Sequence, residues 1–192
     1  MPQEERSFAL IELRKHTEAK NFWMCLPIPM NTLQEKLTSA VQLREAGKHE
    51  EARALLREIH SEFPDDAQVN LQYAWIHDLL GLEREAIQFY ESAVKFGLSG
   101  DDLQSALLGM GSTYRCIGEY QKAKETFLRA LELFPQRNEF KVFLAMTYYN
   151  LGEHSKSMEL LLTSLVETSK DEGIVSYERA IRFYADKLDE TW

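Results

Sequence analysis

Leu107-Leu108-Gly109-Met110-Gly111-Ser112-Thr113-Tyr114, then Gly118-Glu119-Tyr120, then Ala123, Phe127, Ala130 and Pro135, is the stretch on which the reading of this chain turns. Leu107, Met110, Gly111 and Tyr114 recur at three- and four-residue steps, the spacing that puts side chains on one face of a helix. Gly118 supplies a stop, because glycine enters the left-handed conformation that closes a helix without steric cost. A second helical pattern follows in Ala123, Phe127 and Ala130, and Pro135 ends it for lack of an amide donor. The side-chain-free Gly111 stands where the two helices must approach closely. The stretch is therefore a helix hairpin.

The hairpin is repeated. Gly47, Gly81, Gly118 and Gly152 are separated by 34, 37 and 34 residues. Five residues after each comes Ala52, Ala86, Ala123 or Ser157, and four further on comes Leu56, Tyr90, Phe127 or Leu161. Seven before each glycine a small residue recurs as Ala40, Ala74, Gly111 and Ala145, and Pro64 and Pro135 close their units. This pattern resembles the tetratricopeptide repeat, a 34-residue helix-turn-helix whose signature W-x2-L-G-x2-Y, A-x3-F and P is a packing code. The resemblance covers about 33–66, 67–100, 101–137 and 138–169. It departs from the family at Leu98 and Ser169, where closing prolines would stand, and at Ser157, which replaces the small alanine. It implies an all-α fold, a right-handed superhelical stack of four helix hairpins.

First helices are expected near 33–46, 67–80, 101–117 and 138–151, and second helices near 49–63, 83–96, 120–134 and 154–168, all amphipathic. In Gly97-Leu98-Ser99-Gly100-Asp101-Asp102, Gly97 ends one helix and Ser99 or Asp101 caps the next. The region 170–192 is expected to hold a capping helix. Ser169-Lys170-Asp171-Glu172 has the form of a capping box, and the helix should run to about Leu188 with Ile174, Tyr177, Ile181, Tyr184, Ala185 and Leu188 inward. A solenoid must finish with a polar outer face.

Residues 1–31 precede the array as a helix near 4–20 and the segment Asn21-Phe22-Trp23-Met24-Cys25-Leu26-Pro27-Ile28-Pro29-Met30. Pro27 and Pro29 keep its second half extended. The apolar run is far short of the roughly 20 residues a spanning helix needs, and no small-x-small cleavage site follows. Phe22, Trp23, Leu26 and Ile28 are expected to form an arm. It either docks on its own array, exchanges with a dimer mate, or stays open to a partner.

A formal charge of −9 and a pI near 5.1 argue against nucleic-acid binding, which rests on clustered lysine and arginine. The two cysteines, Cys25 and Cys116, form no disulfide framework and fit a reducing, cytoplasmic setting. None of His16, His49, His60, His77 and His154 has a partner at metal-ligand spacing. His77, at a tyrosine position of the second repeat, is expected to be a packed core side chain. Gly109-Met110-Gly111 lies inside a helix with no strand before it, so helix packing accounts for it rather than a phosphate loop. Cys116 is a nucleophile only if a histidine lies near it in space. The acidic pairs Glu50-Glu51, Asp65-Asp66 and Asp101-Asp102 read as solvated turns. No enzyme, cofactor or metal site is expected.

In a stack of this kind the residues about 100° round the first helix from the small-residue stripe face the concave side. They include Arg44, Gln72, Trp75, Asp78, Arg115, Phe143, Met146, Tyr149 and Asn150, a mixture of aromatic side chains and arginine typical of interface cores. The resemblance also allows one exclusion. Family members that grip a terminal carboxylate use Lys, Asn and Arg at positions occupied here by Leu37, Val41, Gln72, Ser105 and Gly109. The expected function is a non-enzymatic scaffold that binds a protein or peptide. A structural homo-oligomer with a self-filled groove and a chaperone for exported clients are the alternatives. The run from Ala74 to Leu165 is similar to small stand-alone bacterial tetratricopeptide-repeat proteins, a group without assigned activity that is thought to dimerise.

Overall fold

In the computed structural model the described residues are 32–191, and all their regular structure is helical. The expected helix near 4–20 and the arm residues Phe22, Trp23, Leu26 and Ile28 lie outside them. The chain divides into two units, Met1–Glu35 and Lys36–Trp192. In the first, the Thr32 hydroxyl accepts from the amide of Glu35, whose carboxylate accepts from the amide of Thr32. The second unit holds the repeats.

Eight helices form four hairpins: α1 (Leu33–Glu45) with α2 (His49–Glu62), α3 (Ala67–Leu79) with α4 (Glu83–Lys95), α5 (Gly100–Cys116) with α6 (Tyr120–Leu133), and α7 (Asn138–Asn150) with α8 (His154–Thr168). Along the run from α2 to α8, consecutive helices pack on one another. The turns are built alike. Gly47, Gly81, Gly118 and Gly152 all have φ between 70° and 86°. In each, the residue after the glycine donates its amide to a carbonyl of the preceding helix, as in Glu119 to Tyr114 at 2.9 Å, and the glycine itself donates to Arg44, Asp78, Arg115 or Tyr149. This is the Schellman arrangement, which satisfies carbonyls that a helix end leaves orphaned.

The core is the seam between first and second helices. Ala40, Ala74, Ala145, Ala52, Ala86 and Ala123 are buried together with Leu56, Tyr90 and Phe127. At Gly111 even a methyl group would not fit, since a Cβ there would lie 2.6 Å from the Phe127 ring. Ser157 keeps its place by donating its hydroxyl to the Ala145 carbonyl at 2.7 Å. His77 is buried as expected, its Nδ1 2.7 Å from the Tyr73 carbonyl.

Two expectations need correction, and one is narrowed. The second helices are amphipathic, but inner first helices such as α3 are covered on several sides, with Val69, Asn70, Leu71, Tyr73, Ala74, Ile76 and His77 all buried. At the third repeat Ser99 takes the cap position without a side-chain bond, and Asp101 lies inside the first turn of α5. After the last repeat, Asp171 and not Ser169 is the cap, accepting from the Ile174 amide at 3.0 Å.

The C-terminal helix is also split in two, α9 (Glu172–Ser176) and α10 (Glu178–Tyr184), and it ends before Leu188. The Ser176 hydroxyl donates to the Gly173 carbonyl at 2.9 Å, and the Tyr177 amide turns to Ile174 instead. Gly173, Val175 and Ser176 are weak helix formers, and the serine supplies the competing bond. α10 packs on α8 and buries Ala185, while Tyr177, Tyr184 and Leu188 remain exposed, so the outer surface is less polar than expected.

Candidate functional site

Arg44, Asp78, Arg115 and Tyr149 occupy one register position on the four first helices. The backbone carbonyl of each accepts from its own turn glycine. The turns therefore set where these four side chains start, and neighbouring repeats decide where they end.

Arg44 lies over the Trp75 ring, its guanidinium carbon 5.0 Å from the ring centre, and donates to the Gln72 side-chain oxygen. Burial pulls its pKa below the usual arginine value. A guanidinium on an aromatic face gains from the ring quadrupole, and the stack holds both groups in one orientation. Trp75 is half-buried, its inner edge against the core. Arg115 is half-buried as well, reaches the Asn150 oxygen at 3.4 Å, and has a buried Nε without a partner. Among the described residues neither arginine forms an ion pair.

Asp78, between them in register, is tied down. It accepts from the Tyr90 hydroxyl at 2.6 Å and from the Thr113 hydroxyl at 2.9 Å. Burial outweighs these two bonds and holds its carboxyl above the usual aspartate value. Tyr90 belongs to a second helix, and its hydroxyl reaches Asp78 only because Gly109 leaves room: a Cβ at 109 would lie 2.4 Å from that oxygen. Burial first, and then the neighbouring carboxylate, push the Tyr90 hydroxyl far above the ordinary phenol range. Tyr90 therefore serves as a fixed neutral donor.

The remaining candidates are distributed differently. Phe143 packs inward, its ring 5.9 Å from Phe127, so it contributes to the core more than to a free surface. Met146 is half-buried, and Asn150 and Tyr149 are exposed, with the Tyr149 ring tilted against that of His154 at 4.8 Å. The structure thus joins Arg44 with Gln72 and Trp75, and Arg115 with Asn150, and it takes Asp78 into a separate network. The Tyr90 and Thr113 bonds to Asp78 are not evident from sequence. The available signal is a tyrosine where the repeat carries phenylalanine, since a buried phenolic hydroxyl needs a partner.

Equivalent helices of successive repeats are joined by side chains 34 or 35 residues apart. Gln68 donates to Asp102 at 2.6 Å, Thr113 to Asp78 at 2.9 Å, Gln104 to Glu139 at 3.3 Å and Arg115 to Asn150 at 3.4 Å. Among the described residues no group of three or more histidine, cysteine, aspartate and glutamate side chains could hold a metal ion. Cys116 is exposed. No described helix is long and apolar enough to cross a membrane.

Comparison with known proteins agrees with this architecture. A family model described as "Tetratrico peptide repeat" matches residues 67–188, and a second, "Tetratricopeptide repeat", matches 37–66. The chain belongs to the tetratricopeptide-repeat family. It is similar to Superkiller protein 3 of Schizosaccharomyces pombe, 29% identical over 132 residues, which is 66% of this chain and 9% of that protein. The chain thus spans under a tenth of the length of the curated relative it matches.

Among solved structures, MamA superposes with a TM-score of 0.62 at 21% identity, covering 77% of this chain and 88% of that one. YrrB, described as a TPR protein with an unusual peptide-binding site, superposes with a TM-score of 0.63 at 15% identity, covering 80% of each chain. At these identities the likeness is one of fold.

Proposed function

We propose that the chain is a non-enzymatic scaffold that binds a protein or peptide segment along the face formed by its first helices. The observation that carries the reading is the pair Arg44 and Arg115, half-buried, in equivalent positions two repeats apart, and without a carboxylate partner among the described residues. A desolvated guanidinium with unused donors is costly alone and favourable once a ligand oxygen completes it. Trp75 and Tyr149 add aromatic surface of the kind that anchors interfaces. The resemblance in fold to YrrB, whose own description names a peptide-binding site, supports the same reading.

The segment Phe22, Trp23, Leu26 and Ile28 is proposed as one occupant of this face, in its own chain or in a dimer mate. Burying two or three such side chains would contribute roughly 1.5–3 kcal/mol each. The test uses affinity capture with the full chain and with its W75A/R115A variant. A set of specifically captured proteins lost in the variant supports the reading, and a set unchanged by it overturns it. Deleting residues 1–31 separates the occupants: an arm docked in its own chain predicts stronger capture by the truncated chain, and an exchanged arm predicts a fall in mass from dimer to monomer.

A further inference from the structure

Helices α9 and α10 continue the array as one more first helix. Ala180 stands 35 residues past Ala145, the small residue of the fourth repeat, and Phe183 follows it at the step that holds His77, Tyr114 and Tyr148 in the repeats before. α10 packs on α8, as each earlier first helix packs on the second helix that precedes it. The turn into a further second helix is not made. Lys187 occupies the place of the turn glycine, 35 residues past Gly152, and its amide donates to the Tyr184 carbonyl at 2.9 Å as Gly152 donates to Tyr149. Yet Lys187 does not enter the left-handed conformation. Its ammonium donates at 3.1 Å to the Phe183 carbonyl, the acceptor that in the four complete turns takes the amide after the glycine. Asp189 then accepts from the Ser155 hydroxyl at 2.5 Å, which draws the chain back to α8.

The small-residue stripe is therefore left bare at this one place. Ala40, Ala74, Gly111 and Ala145 are buried beneath second helices, whereas Ala180 is exposed. It lies in a hollow of about 420 Å³ lined also by Ser176, Tyr177, Arg179, Phe183 and Tyr184. The three rings are 67%, 50% and 48% exposed, an apolar patch of the kind that marks an interaction surface. Most charges of α10 are spent elsewhere. Glu178 and Arg182 bond to each other at 2.8 Å, Arg182 also lies 3.8 Å from Glu167 of α8, and Lys187 is paired with Asp186.

The four hairpins show what fits such a stripe: an antiparallel helix that carries a small residue and, four further on, a large one, as in Ala86 with Tyr90 and Ala123 with Phe127. The large residue sits on the small residue of the first helix, as Phe127 sits against Gly111. α10 itself has this pattern in Ala180 and Tyr184. Laid antiparallel on a second copy in the hairpin register, Tyr184 of one α10 falls on Ala180 of the other. Four residues along, in opposite directions on the two helices, Ala180 of the first falls on Tyr184 of the second. The contact is the same read from either chain, which is what a closed two-fold interface requires. We infer that α9 and α10 form an isologous dimer interface in which each copy supplies the second helix that the other's last unit lacks. Half-exposed aromatic side chains offer roughly 100 Å² each, so the interface is small and of the weak, reversible class. It does not involve residues 1–31 or the first-helix face proposed to bind a ligand.

The test is sedimentation of the full chain from about 1 to 200 μM, with amide NMR shifts followed over the same range. A rise in mass from monomer to dimer is expected, with concentration-dependent shifts at Tyr177, Ala180, Phe183 and Tyr184. A180E sets a carboxylate against the partner ring twice over and should weaken association by more than about tenfold. Y184A should weaken it as well, and decides the matter if A180E does not fold by circular dichroism. Deleting residues 1–31, and separately W75A/R115A, should leave the dimer intact. A monomer throughout, a dimer indifferent to A180E and Y184A, a dimer lost with residues 1–31, or mass that grows past two copies would each overturn the inference. None of these results decides whether Trp75 and Arg115 bind a ligand.

Discussion

Adding one methyl group at Gly111 tests the claim that each hairpin is held by a matched pair of sizes. An ideal Cβ there sits 2.6 Å from Cε1 and Cζ of Phe127 and 3.0 Å from Cδ1, whereas carbon atoms prefer about 3.5–4.0 Å. Overpacking of this kind costs about 1–3 kcal/mol, and exchanging glycine for alanine in a helix returns about 1. G111A should therefore lose about 1 kcal/mol.

F127L alone removes part of a fully buried ring and should cost about 1–1.5 kcal/mol. The first and fourth repeats already combine alanine with leucine, as Ala40 with Leu56 and Ala145 with Leu161. The double variant G111A/F127L should then return to within about 0.5 kcal/mol of the parent, a coupling of about 2 kcal/mol. Urea denaturation followed by circular dichroism at 222 nm reads this as a restored midpoint. If the double variant loses the sum of the two single losses to within about 0.5 kcal/mol, the two residues do not share the space assigned to them.

Other predictions concern the turns and the polar network. Gly118 has φ of 86° with nothing within 4 Å of where a Cβ would stand, so G118A should pay only the conformational cost of about 1–2 kcal/mol. Calorimetry should show a Tm lower by roughly 3–6 °C, with G118N recovering much of it. Asp78 has its folded pKa raised by burial, so the folded state binds its proton more tightly and Asp78's contribution falls as pH rises from about 3.8 through the folded value. The stability of the parent relative to D78N should accordingly increase on acidification from pH 7 to pH 4, as thermal melts at a series of pH values can check. S157A removes a hydroxyl whose acceptor lies inside a helix and restores the alanine of the other three repeats, so its denaturation midpoint should shift by less than about 1 kcal/mol.

What is legible in sequence is what each hairpin decides locally. The four turn glycines, the small residues opposite Leu56, Tyr90 and Phe127, and the burial of His77 all follow from periodicity within a single unit. Pairings between units are not legible in the same way. Asp78 reads as an open groove carboxylate until Thr113 of the next unit, 35 residues away, is brought to it beside Tyr90 of its own hairpin, 12 residues away. Phe143 has the spacing of a surface anchor, and the ring of Phe127 turns it inward. The break at Tyr177 depends on one serine hydroxyl outcompeting one amide for the Gly173 carbonyl, a balance that helical periodicity does not register. The arm residues Phe22, Trp23, Leu26 and Ile28 remain a proposal resting on composition and proline geometry.

The side-chain bonds that join successive repeats draw on three kinds: amide to carboxylate between Gln68 and Asp102 and between Gln104 and Glu139, guanidinium to amide between Arg44 and Gln72 and between Arg115 and Asn150, and hydroxyl to carboxylate between Thr113 and Asp78. Each junction thus has its own combination of them. The four units share a backbone plan but are not interchangeable parts, and transposing the second and third would preserve every hairpin while setting Leu79, two residues before its turn glycine, where Asn150 now meets Arg115. Part of the linear order of the hairpins is therefore written into the chain a second time, in the polar groups between them.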